Sequence, residues 1–207
     1  MIRYYSMGAA AFVAALMGFL GWLVWADRSG GDRFVQCRET AIAGGSGSVG
    51  GPFELVDQTG ATVTEAEVFA EPGLLYFGYT FCPDVCPLDV DRNALVAEMV
   101  EDAGHDLRPV FVSVDPARDT PEVLAEYTAV FHPRMIGLTG TEEQIRQATR
   151  AYRAFYNVHP ADDDFYLVDH STFSYLVLPE HGFVEVFRRD IRAPDMAERV
   201  TCFLDRA

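Results

Sequence analysis

Ser6 to Ala26 is a run of 21 residues without a single charge, rich in Leu, Met, Phe, Val and Trp. A helix rises about 1.5 Å per residue, so a run of this length spans the roughly 30 Å hydrocarbon core of a bilayer. Trp22 and Trp25 fall near its far end, where indole rings favour the membrane interface. The run therefore argues against one water-soluble fold for the whole chain and predicts an N-terminal transmembrane helix. Arg3 precedes it, which keeps the N-terminus cytoplasmic under the positive-inside rule, although Arg28 and Arg33 weaken that bias. A cleaved signal peptide competes with this reading, with Val24 and Ala26 as small residues before the cut. Secretory apolar cores run only about 7–15 residues, so the length favours an uncleaved anchor. Both readings export the same domain.

Arg3 is the only charged side chain among the first 26 residues, so the acidity of the chain (31 Asp and Glu against 16 basic residues, net −15) belongs to residues 27–207. That balance argues against nucleic acid as a partner, because phosphate binding needs clustered cations. All 16 basic residues are Arg, which excludes a lysine Schiff base and a P-loop lysine. An apolar share of 49% argues against disorder. From Asp27 to Gly51 the chain is polar and then Gly-rich, the composition of a flexible tether; no Gly-Lys-Ser/Thr ending makes it a nucleotide loop. Three parts are expected: an anchor at 1–26, a tether at 27–51 and one folded domain at 52–207.

Within that domain, short apolar runs alternate with amphipathic stretches. Strands are expected at 74–79, 110–114 and 135–138, and helices at 88–103, 120–131 and 141–155. Thr120-Pro121 has the order of a cap residue followed by a first-turn proline. Strands at 173–178 and 183–187 flank Pro179-Glu180-His181-Gly182 as a hairpin, and a last helix covers 194–204. This order predicts an α/β fold with a mixed central sheet and helices on both faces.

The chemistry concentrates in Cys82-Pro83-Asp84-Val85-Cys86-Pro87, directly after the first strand. Two thiols at i and i+4 either form a disulfide or clamp one soft metal. Pro87 suits the first helical position, which would put Cys86 at the N-cap of an exposed corner, with its thiol pKa lowered by the helix terminus. An ordinary stabilising disulfide is the plain alternative, but so short a loop constrains the unfolded chain weakly. Of the five histidines, His170 in Val168-Asp169-His170-Ser171 lies in a loop just before a predicted strand, where it can approach the same end of the sheet. Two thiolates and one imidazole suit Cu(I). A solvated or capping histidine is the plain alternative.

Tyr76-Phe77-Gly78-Tyr79-Thr80-Phe81-Cys82-Pro83-Asp84-Val85-Cys86-Pro87 resembles the signature of the Sco/SenC family of copper chaperones. Phe111 to Pro121 resembles its second block, and Val168-Asp169-His170-Ser171 followed by Tyr175-Leu176-Val177 its third. The resemblance runs from about Pro52 to Phe203. It implies a membrane-tethered, thioredoxin-like domain that delivers copper to the dinuclear copper centre of cytochrome c oxidase. Cys82, Cys86 and His170 match the family's copper ligands. The expected partners are the copper-bearing oxidase subunit, a copper donor protein and the membrane, and the expected location is a bacterial inner membrane with the domain in the periplasm. A thiol–disulfide oxidoreductase using Cys82 and Cys86 on the same fold is the rival. A peroxidase is weaker, since nothing beside the thiol strand marks a peroxide pocket.

Outside these blocks, Cys37 and Cys202 are most simply a disulfide tying the tether to the last helix, with free or intermolecular thiols as alternatives. Asp84 and Asp169 are the nearest carboxylates for an extra copper ligand, and Asp169 is expected to orient His170 or cap its turn. Asp115-Pro116 and Arg118-Asp119 read as a turn and a helix cap. Asp162-Asp163-Asp164 reads as solvated loop, lacking EF-hand spacing. His105, His132, His159 and His181 read as surface residues, with His159 a candidate for accessory copper contact.

Overall fold

In the computed structural model, residues 15–22, 33–38, 49–159 and 165–207 are described. The chain divides into two units, residues 1–36 and 37–207. In the first, residues 15–22 are helical and exposed throughout, including Leu16, Met17, Phe19, Leu20 and Trp22. Among the described residues no helix is long and apolar enough to cross a membrane. Most of the expected anchor, residues 6–14 and 23–26, lies outside them.

The second unit is built on a mixed sheet. Its strands are β1 (Glu54–Asp57), β2 (Thr62–Thr64), β3 (Gly73–Gly78), β4 (Arg108–Ser113), β5 (Ile136–Thr139), β8 (Ser174–Leu178) and β9 (Gly182–Phe187), in the order β2-β1-β5-β4-β3-β8-β9. The two remaining strands, β6 (Tyr156–Val158) and β7 (Val168–His170), pair only with each other as an antiparallel ribbon. The helices are α1 (Glu65–Val68), α2 (Val85–Asp102), α3 (Pro121–Phe131), α4 (Glu142–Ala151) and α5 (Ala193–Leu204). Strands β3, β4 and β5 run parallel, while β8 adds antiparallel to the free side of β3 and β9 antiparallel to β8. This is the mixed α/β sheet of the thioredoxin type.

The centre of the sheet shows why both faces need helices. Every residue of β3 is buried, and successive side chains point to opposite sides. Tyr76 stacks with Phe111, which packs on Tyr127 of α3, while Phe77 meets Tyr152 and Tyr175 on the other side. A parallel sheet with two apolar faces must be covered twice. The crossovers begin where local chemistry directs them. Thr120 caps α3 ahead of Pro121, and Thr141 with Gln144 forms a capping box for α4.

Several elements differ from the sequence reading. The short strands β1, β2, β6 and β7 and helix α1 carry little apolar periodicity; β2 pairs with β1 and β6 with β7, while α1 starts at a local Thr64–Glu67 capping box. His132 is buried rather than on the surface, and its Nδ1 accepts from the Arg134 N–H at 3.2 Å. Within the expected tether, residues 37, 38 and 50 are attached to the domain. Cys37 is joined to Cys202 of α5 by a disulfide with a Cα–Cα distance of 5.7 Å, the Arg38 Nε donates to the Val184 carbonyl, and the Gly50 N–H donates to the Ala151 carbonyl. Residues 39–48, which hold most of the Gly-rich stretch, and Asp162-Asp163-Asp164 lie outside the described residues.

Candidate metal centre

The turn from β3 into α2 carries both free thiols. Helix α2 starts at Val85, so Cys86 is its second residue and Pro87 its third. This corrects the expectation that Cys86 is the N-cap. A proline is tolerated anywhere in the first turn, because those N–H groups have no partner inside the helix. Asp84 stands at the N-cap without a side-chain capping bond. Instead the Cys86 N–H donates to Cys82 Sγ at 3.5 Å, so Cys82 receives the helix terminus.

The electrostatics match that placement. Burial raises the Cys82 thiol, but the backbone N–H groups of Asp84, Cys86 and Val85 outweigh it and hold the pKa below its ordinary value. Cys86 is fully buried, and burial pushes its thiol well up, with the neighbouring Cys82 adding to the effect. The lowered thiol is therefore Cys82, the reverse of the sequence expectation. The corner is exposed at Phe81, Pro83 and Asp84, but its thiols are not, Cys82 being only 9% accessible. Gly78 makes this packing feasible: a Cβ there would stand 3.0 Å from Cys86 Sγ, 3.0 Å from a Phe111 ring carbon and 2.9 Å from a Tyr76 ring carbon.

His170 comes from β7 of the ribbon, where it is paired with Tyr156, and not from a loop as expected. Its Nε2 lies 3.1 Å from Cys86 Sγ. The Nδ1–H donates to the Ser171 carbonyl at 3.0 Å, which leaves Nε2 as the nitrogen facing the thiols. The rings of Tyr76 and Tyr79 stand edge-on to the imidazole at 6.0 and 5.8 Å. Burial holds the His170 pKa below the ordinary imidazole value, favouring the neutral form that ligates metals, although the Ser171 and Phe77 carbonyls oppose the shift.

One ligand atom from each of Cys82, Cys86 and His170 lies within 4.8 Å of the others, and among the described residues no other group of three such side chains does so. The carboxylates named from the sequence point elsewhere. Asp84 is exposed, and Asp169 Oδ2 pairs with His159 Nε2 at 2.6 Å, so it is the Ser171 carbonyl that orients His170. His159 is engaged in that exposed pair and is outside the cluster. His105 faces Asp205 at 3.1 Å, and His181 is exposed.

Sequence reasoning missed what Asp119 does. Its carboxylate does not cap α3, a role taken by Thr120. It accepts from the Thr80 N–H at 3.0 Å, the Thr80 hydroxyl at 2.6 Å and the Ser113 hydroxyl at 2.5 Å. Nothing in the spacing of Thr80 and Asp119 announces that contact, since it exists only because β3 and β4 are neighbours. Likewise the buried Asp89 accepts from the Tyr76 hydroxyl at 2.9 Å, below the site. The resulting centre is a largely buried cluster of two sulfurs and one imidazole nitrogen, a donor set that selects soft cations of low coordination number.

Comparison with known proteins agrees with this chemistry. The SCO1/SenC family profile matches residues 43–205. Protein SenC of Rhodobacter capsulatus is 51% identical over 174 residues, covering 84% of this chain and 78% of that protein. The mitochondrial SCO1 homolog 1 of Arabidopsis thaliana is 43% identical over 147 residues, covering 70% of this chain but only 44% of that longer protein. The crystal structure of Arabidopsis thaliana ScoI with copper bound superposes with a TM-score of 0.73 at 39% identity, over 77% of this chain and 99% of that one. On the profile match, the identity to SenC and the shared fold, the chain belongs to the SCO1/SenC family.

Proposed function

We propose that this protein is a membrane-anchored copper metallochaperone that delivers copper to the dinuclear copper centre of cytochrome c oxidase. The observation that carries the reading is the convergence of Cys82, Cys86 and the His170 Nε2 in one cluster. Copper is the cargo, held by two thiolates and one neutral imidazole. Cys82 has some access to solvent and Cys86 has none, so an incoming donor or acceptor thiol meets Cys82 first. Transfer then proceeds by ligand exchange, with the copper donor protein loading the site and the copper-bearing oxidase subunit emptying it. Relatives solved with copper bound support the choice of metal. The exposed apolar helix at 15–22 supports an anchor within residues 1–26, while Arg3 ahead of the uncharged run and the bacterial SenC relative support a cytoplasmic N-terminus with the domain in the periplasm.

The test is copper stoichiometry and spectroscopy on the reduced full chain in detergent, for wild type and His170→Ala. One Cu(I) per chain is expected, with the affinity lowered and the nitrogen scattering lost in the variant. Equal Cu(I) binding after His170→Ala would sink the three-ligand site.

A specific observation also favours a thiol–disulfide oxidoreductase: the lowered Cys82 thiol stands at a helix N-terminus with a second thiol beside it. A reductase acting on the oxidase copper-site cysteines tolerates His170→Ala, whereas a chaperone does not.

A further inference from the structure

The turn after β4 grips both halves of the candidate metal centre. On the thiol side, Asp119 holds Thr80, two residues before Cys82, through its bonds to the Thr80 N–H and hydroxyl. On the imidazole side, Asp115 Oδ1 accepts from the Tyr166 hydroxyl at 2.6 Å, four residues before His170. Asp115 is 2% exposed, and its Oδ2 accepts from Arg118 Nε at 2.5 Å. That bond fixes the guanidinium among three rings, the farthest being Tyr79 with its centroid 5.7 Å from Cζ. Arg118 Cζ is 3.6 Å from the centroid of Tyr166 and 4.7 Å from that of Phe81, the neighbour of Cys82.

This geometry matters because, among the described residues, the β6–β7 ribbon shares no strand pairing with the main sheet. Its position against β3 and α2 is set by side chains: the His170 ring on Tyr76 and Tyr79, the buried Val168, and the Tyr166 contacts. The Tyr79 carbonyl also accepts from the Cys82 N–H, so Tyr79 and Tyr166 both tie the ribbon to the thiol loop, and it is the Tyr166 contacts that run through the turn after β4. A planar guanidinium can stack on aromatic faces while its edge bonds a carboxylate, which an ammonium cannot do.

We propose that Arg118 is a positioning residue of the metal centre: with Asp115 it clamps Tyr166 against Phe81 and so sets the His170 imidazole over the Cys82 and Cys86 thiols. The proposal rests on the reading of those three side chains as copper ligands. Arg118 touches no ligand itself and acts through the ribbon.

The test measures Cu(I) affinity by chelator competition on the reduced full chain, for Arg118→Gln, Arg118→Lys and Tyr166→Phe, each alone and combined with His170→Ala. Arg118→Gln is expected to weaken binding about 10–100-fold, the range typical when the support of a ligand is lost. Arg118→Lys stays weak, and Tyr166→Phe, which keeps the ring but loses the bond to Asp115, falls in between. In the His170→Ala background none of the three adds a further loss, because the clamp acts only through His170. Equal losses in both backgrounds, no loss in either, or full rescue by lysine would overturn the proposal.

A second measurement needs no copper. Amide hydrogen exchange in the apo chain is expected to quicken at 168–170 in Arg118→Gln and Tyr166→Phe, while 74–77 in β3 stays as in wild type. Unchanged exchange in the ribbon overturns the clamp. If wild type takes up no Cu(I), or His170→Ala binds as tightly as wild type, the copper reading falls and ribbon exchange alone decides for or against Arg118.

Discussion

Cys86 Sγ and His170 Nε2 lie 3.1 Å apart although 84 residues separate them. The contact joins the first turn of α2 to a strand of the ribbon, two elements that share β3 and the turn after β4 as supports. A ligand pair of this kind is sensitive to anything that moves one support relative to the other.

Gly78 is the tightest such support. With a Cβ contact 3.0 Å from Cys86 Sγ and others as close on two buried rings, Gly78→Ala must displace the sulfur or the rings. The expected result is a stability loss of about 1–3 kcal/mol in denaturant titration, as for other overpacked sites. Cu(I) affinity should fall with it. An unaltered midpoint would show that the thiol has room to move.

The two thiols should differ in reactivity. Cys82 is partly accessible and has a lowered pKa, whereas Cys86 is fully buried and raised. With limiting iodoacetamide on the reduced apo chain at neutral pH, peptide mapping is expected to find alkylation on Cys82 well before Cys86. Preferential labelling of Cys86 would contradict the placement of the helix start.

The Cys37–Cys202 disulfide closes a loop across 165 positions of sequence. Replacing both cysteines by alanine frees the unfolded chain and is expected to cost about 2–5 kcal/mol. For a domain of this size that corresponds to a fall of roughly 4–20 °C in Tm. Copper stoichiometry should be unaffected, since neither residue belongs to the ligand cluster. Calorimetry and metal analysis on the same variant check both halves.

Glu185 gives the pH dependence a definite sign. Its side chain is fully buried, and burial raises its pKa against the Val186 N–H, Arg199 and Arg38, with Arg199 Nη2 at 3.1 Å. The folded chain therefore holds this proton more tightly than the unfolded chain does. The contribution is fully present below the unfolded carboxyl pKa of about 4.3 and is lost as pH rises through the folded value. Between pH 4.5 and pH 7.5 the Tm of wild type should change less favourably on raising the pH than that of Glu185→Gln. Parallel curves would mean that Glu185 titrates as it does in the unfolded chain.

How far each residue's role can be read from the chain depends on what that role rests on. The strand at Leu74 to Gly78, the Thr120-Pro121 start of α3 and the hairpin after Leu178 follow from local patterns that tertiary packing reinforces. Cys82, Cys86 and His170 stand out as ligand candidates because thiols and an imidazole are chemically conspicuous. The protonation of the thiols is not legible in the same way, because it depends on whether α2 begins at Pro87 or two residues earlier, a difference no sequence pattern settles. The burial of His132 escapes the sequence too, since it depends on which elements pack around it.

The sequence by itself determined the α/β order, the two thiols at a strand-to-helix turn, and the division between an uncharged N-terminal run and an acidic domain. Periodicity and chemical identity are local properties that can be read along one chain. Only the tertiary structure decided that His170 reaches Cys86, that Cys82 takes the helix terminus, and that the turn from Asp115 to Asp119 holds both sides of the centre. Those relationships come from strand pairing and packing between residues far apart in sequence, where neither partner carries a mark of the other.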